Sequence, residues 1–149
     1  KAPEKQPLKY DVDKELGVGD YRVRVLGFYL DVGEEIELYG EVVVRDKLVV
    51  EVEVYCEGDD SWLFSRSLIF RVQGADFEPL LPDKSGSAGE IPNEMLSSDE
   101  HLGGKVTFYV PQGCREIDLV ADFGIFDLGL VKIPLIFDAF GYPPLPGGE

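Results

Sequence analysis

Apolar residues recur at every second position over most of this chain. Leu48, Val50, Val52, Val54 and Cys56 share one parity, while Glu51, Glu53 and Glu57 share the other. Val106, Phe108 and Val110 alternate with Lys105, Thr107 and Tyr109. After Pro111-Gln112-Gly113, residues Ile117, Leu119, Ala121 and Phe123 alternate in the same way with Glu116, Asp118 and Asp122. Side chains of an extended chain switch faces at each residue, so this period predicts strands with one buried and one wet face.

The remaining segments follow suit. Tyr10 to Asp20 alternates weakly and predicts a frayed edge segment, and Tyr21 to Leu30 a strand. Asp31-Val32-Gly33-Glu34 predicts a turn. Glu35 to Val44 predicts a strand with Ile36, Leu38, Val42 and Val44 inward and Glu35, Glu37 and Glu41 in water. Arg45-Asp46-Lys47 predicts the next turn. Short strands are expected at Trp62 to Phe64, Ser67 to Gln73 and Phe77 to Leu81, with Gly74 marking a bulge or turn between the last two. From Pro82 to Leu102 the periodicity lapses into a loop composition, within which Asn93 is placed to cap a single helical turn through Leu96. Val131 to Phe137 predicts a last strand, and Pro134 puts it at an edge or beside a bulge, because proline donates no ladder hydrogen bond.

Short strands with tight turns and one polar face each predict an all-β fold, an antiparallel immunoglobulin-like β-sandwich of about seven to nine strands. A closed barrel is the second choice. Residues 1–9 read as a polar, proline-bearing tether, 10–138 as the sandwich, and 139–149 as an extended Pro/Gly-rich tail. At 149 residues the chain suits one domain.

Charge narrows the choice of partners. The 29 acidic against 14 basic side chains give a net charge of -15, which repels phosphate backbones and anionic lipid and argues against nucleic acid. No apolar run reaches the roughly 18 residues of a spanning helix, so direct membrane insertion by this segment is not expected. The first residue is Lys1 rather than Met, the expected remnant of a removed leader, anchor or purification tag. Asn93 is the sole asparagine, a composition met in heat-adapted proteins and equally in short chains by chance.

Three stretches carry a family resemblance: LVVEVEVYCEG (Leu48 to Gly58), SLIFRVQGADFEPL (Ser67 to Leu80) and HLGGKVTFYVPQGCREIDLV (His101 to Val120). In these the chain resembles the telokin-like, immunoglobulin-fold domains of small secreted proteins and lipoproteins of bacteria and archaea, a family known mainly as a domain of unknown function. The resemblance covers about half the chain and implies a fold and an extracellular or cell-envelope location, with no active site. The chain departs from antibody-type domains: Trp62 comes too soon after Cys56, and Cys114 follows a Pro-Gln-Gly turn rather than lying inside a strand.

Candidate chemistry is sparse. Cys56 and Cys114 are the two cysteines, and a disulfide and two free thiols both fit their positions. His101, the one histidine, follows Asp99 and Glu100 but has no catalytic partner at a recognisable spacing. Asp11, Asp13 and Glu15 begin like a calcium loop, yet Leu16 and Arg22 stand where that loop needs glycine and glutamate. Asp59, Asp60 and Asp83 are loop carboxylates able to meet at a cation. Tyr39, Tyr55 and Tyr109 fall on outward parity, and Trp62 lies near a loop; such aromatics make either a platform for a sugar or protein or cross-strand pairs. No residue is assigned a catalytic, cofactor-binding or metal-binding role, and no cofactor is expected. The expected function is a non-enzymatic binding or interaction module, for another protein or a carbohydrate, with the Pro82 to Leu102 loop as its contact surface. A carboxylate-based hydrolase and a structural spacer of a larger envelope protein are the alternatives.

Overall fold

The computed structural model describes residues 15–18, 20–57, 62–65, 69–75, 77–83, 91, 94–97, 100–124 and 129–137. The expected tether and tail therefore lie outside the described residues, as do Asp11, Asp13, Asp59, Asp60, Asn93 and Asp99.

Ten strands are present among the described residues: β1 (Glu15–Val18), β2 (Tyr21–Leu38), β3 (Glu41–Cys56), β4 (Trp62–Phe64), β5 (Phe70–Gly74), β6 (Phe77–Leu80), β7 (Glu94–Leu96), β8 (His101–Val110), β9 (Glu116–Asp122) and β10 (Leu130–Ile136). Eight form two antiparallel four-stranded sheets, in the orders β1-β2-β3-β8 and β10-β9-β5-β6, and β4 with β7 makes a small third ladder. This is the expected all-β sandwich. The alternating apolar sets meet between the sheets: Val23, Val25, Leu48, Val50, Val52, Val54, Val106 and Phe108 from one, Phe70, Val72, Ile117, Leu119, Ala121, Ile133 and Leu135 from the other. Aromatic contacts tie the layers, with Tyr21 stacked on Phe123 at 5.4 Å and Phe28 edge-on to Phe137 at 5.2 Å. Pro134 sits in β10, at the outer edge of its sheet, where its missing N–H costs no central ladder bond.

Several local expectations need correction. Asp31 to Glu34 is a bulge inside the long strand β2, and Arg45 to Lys47 is continuous β3. The real reversal lies between them, at Tyr39-Gly40, so Glu35 to Val44 is two arms of a hairpin rather than one strand. The cross-strand pairs Ile36–Val43 and Glu37–Val42 join residues of opposite parity. The four apolar residues expected on one core face are thereby split between the two faces of the ribbon, and Leu38, Val42 and Val44 are exposed. The helical turn ending at Leu96 is instead the extended strand β7, paired with β4. Finally, β8 and β9 flank a turn but do not pair; Pro111 to Arg115 carries the chain from one sheet to the other.

The described parts of the Pro82 to Leu102 segment are docked against the sandwich. The amides of Asp83 and Ile91 donate to the carbonyls of Thr107 and Lys105, following the outer edge of β8. Ile91 is fully buried, and a side chain on Gly104 would meet its backbone at 2.7 Å.

Candidate functional site

The β2–β3 hairpin outruns its sheet. On the β3 side, β8 stops opposite Asp46 because Pro111 cannot continue the ladder. On the β2 side, β1 pairs only from Tyr21 to Arg24. The rungs from Glu34–Arg45 to Leu38–Glu41 therefore form a two-stranded ribbon reaching roughly 16 Å beyond the three-stranded region, at about 3.3 Å per residue. Its tip is a two-residue turn with positive φ at both positions, Tyr39 at 52° and Gly40 at 82°, the arrangement whose twist matches that of a hairpin. Glycine enters this region freely, whereas tyrosine does so at a cost. The Tyr39 ring is fully exposed, and Val42 retains 67% of its surface in water.

The ribbon is fixed at its root by a carboxylate absent from the sequence-derived candidates. Asp46 is completely buried. Its Oδ1 accepts the Gly33 amide from the β2 bulge at 3.0 Å. Its Oδ2 accepts the Gly113 amide at 3.1 Å and the Arg115 guanidinium at 3.0 Å. One side chain thus joins the bulge, β3 and the turn between the sheets. Buried charge is tolerable when paired and hydrogen-bonded in this way.

Between the ribbon and β6 runs a groove of about 630 Å³. Ile36, Leu38, Leu80, Leu81, Pro82 and Tyr109 supply apolar lining, and Arg45, Glu78 and Asp83 supply charge. The volume falls in the usual range for binding pockets, roughly 300–1,000 Å³. Leu38 and Leu81 are both exposed in it.

The other candidates are dispersed. Tyr55 is buried and stacks on His101 at 4.1 Å, and the His101 Nδ1 lies 3.4 Å from Glu53. His101 pairs with Tyr55, whereas Cys114 follows the Gly113 bound to Asp46, nine residues away along β3. That is roughly 30 Å of extended strand, so the two do not form a catalytic pair. The same geometry separates Cys114 from Cys56 by roughly 33 Å, far beyond the 4.4–6.8 Å Cα separation of a disulfide, and the two are not bridged. Cys114 lines a smaller hollow of about 270 Å³ with Ala75, Phe77 and Glu116. Among the described residues, no three metal-ligating side chains cluster. Asp83 contributes to the groove instead. Asp122, on the outer face of β9, is held below the usual carboxylate range by a 2.7 Å hydrogen bond from Arg71 and a second from the Gly124 amide. That direction is opposite to the one a general acid needs.

No protein-family model matches the chain, and no curated protein does. Two solved structures from Bacillus subtilis share its fold. The yjhA protein is 14% identical, with a TM-score of 0.62 over 87% of this chain and 99% of its own. A candidate lipoprotein, ycdA, from strain 168 is also 14% identical, with a TM-score of 0.63 over 90% of this chain. The chain spans 39% of that protein.

Proposed function

We propose that this domain is a non-enzymatic binding module of the cell envelope, and that it holds a protein partner through the β2–β3 ribbon. The observation that carries this reading is the ribbon itself: Leu38, Tyr39, Val42 and Val44 lie exposed on an element that contributes nothing to the core cluster. Apolar surface kept in water, on an arm anchored by a buried carboxylate, fits an interaction surface better than a packing defect. The strained tyrosine at the tip fits as well, since backbone strain concentrates at functional positions. A rigid aromatic is an economical anchor for a protein interface. The envelope location is supported by the lipoprotein description of one structural neighbour and by the resemblance to telokin-like domains of secreted proteins and lipoproteins.

The test is site-specific photocrosslinking in the native host. A benzophenone side chain at Tyr39 should yield a discrete adduct with another protein, and one at Lys132, exposed on β10, should not. Equal labelling from both positions, or none from Tyr39, would remove the ribbon as the contact surface.

A further inference from the structure

Resting on that reading, we infer that the groove beside the ribbon takes a short basic segment of the partner protein, with apolar side chains on its floor and lysine or arginine on its rim. Two features of the groove lead there. Its floor is apolar and open: Leu81 keeps 59% of its surface in water, and Leu38 is also exposed. Its rim is acidic. Glu78 and Asp83 stand on the β6 side. On the ribbon side, register places Glu34 and Glu41 on the same face as Ile36 and Leu38. Arg45, the cation among the described lining residues, lies directly across the ladder from Glu34. Register thus sets one carboxylate opposite that cation, and the exposed Glu41 and Glu78 add negative charge beyond it.

Complementarity then selects among occupants. A second copy of this chain brings another net charge of -15 and another set of ribbon glutamates, so self-association there opposes like charges. Nucleic acid and anionic lipid meet the same repulsion. A neutral sugar can donate hydrogen bonds to the rim but gains no ionic attraction from it and leaves the apolar floor poorly matched. A cationic segment with apolar side chains satisfies rim and floor together, and the β6 backbone contributes little because Pro79 interrupts it.

The experiment titrates the isotope-labelled domain with three short peptides, followed by amide chemical shifts and fluorescence anisotropy. One alternates lysine with valine and leucine. The second replaces lysine by glutamate, and the third replaces the apolar residues by serine. The lysine–apolar peptide should move amides within 34–45 and 77–83 while the other two leave them in place. Its affinity should fall steeply when ionic strength rises from about 0.01 M to about 1 M, which shortens the screening length from about 30 Å to about 3 Å. The double variant Glu41→Lys/Glu78→Lys alters two exposed positions, leaves the fold intact, and should weaken the same peptide on the order of tenfold. If the glutamate peptide moves the same amides as strongly, or salt has no effect, the basic class is overturned while the ribbon remains a binding surface. If no peptide moves those amides, the groove proposal falls, and the Tyr39 crosslink decides the ribbon independently.

Discussion

Asp46 shows how much one residue can hold and why its role is not legible locally. Arg45-Asp46-Lys47 looks like a turn because three consecutive charged residues usually stay in water. The groups that make burial tolerable are distant in sequence: the amides of Gly33 and Gly113 and the guanidinium of Arg115. Asp46→Ala would leave the two amides and the partly exposed Arg115 guanidinium without their acceptor. It should lower the unfolding free energy by about 1–3 kcal/mol in urea titration. A loss below about 1 kcal/mol would mean that water or a neighbour replaces the carboxylate. Asp122 makes a smaller, pH-dependent contribution. Its folded pKa lies below the unfolded value, so its stabilisation is present above about pH 4 and is lost as pH falls through the folded pKa. Asp122→Asn should therefore be less stable than the native protein at neutral pH, by a few tenths of a kcal/mol for a pair this exposed. The two stability curves should converge in acid, and a gap that stayed constant down to the acid limit would rule out the ion pair as its source.

Among the elements, the strands that lie wholly within the sandwich were readable from alternation alone, since the face each turns to the other sheet is continuously apolar. β9 is an example, with Ile117, Leu119 and Ala121 all buried. The ribbon was not, for a physical reason. Alternation over Glu35 to Val44 continues through Tyr39-Gly40, and tyrosine is a poor signal for a turn that favours Asn-Gly or Asp-Gly. The glycine was the only local cue. β7 escaped similarly, because its pairing with β4 is non-local and Glu94–Leu96 is too short for periodicity to show. The turn also supplies a test in which stability and function separate. Tyr39→Asn suits the left-handed conformation better and removes the exposed ring. The variant should be more stable by about 0.5–1 kcal/mol in urea. It should also bind the partner captured at this position less well, a trade typical of strained functional residues. A variant that lost stability would show that the ring packs in a way its full exposure contradicts.

For the molecule as a whole, composition and alternation together were enough to indicate an antiparallel sandwich, and Pro134 was enough to indicate one of its edges. Neither revealed which strand would outrun the sheet, because that depends on where β8 ends against β3. The net charge of -15 acts at this scale too. Distributed like charge opposes the compact state and is screened by salt. Raising sodium chloride from about 0.01 M to about 0.15 M should therefore move the urea midpoint upward, and a downward shift would mean that favourable ion pairs outweigh the repulsion.

The β2–β3 hairpin also sets an order of assembly. Its fifteen rungs close around a two-residue turn and require no chain beyond Cys56, so loop entropy favours it as an early structure during synthesis. The outer edge of β3 must then wait for β8, which begins only at His101. A nascent chain paused in that interval presents an unpaired valine-rich strand to its neighbours. Glu51 and Glu53 put two charges on that strand, where they act as gatekeepers against strand addition by another chain until the native partner arrives.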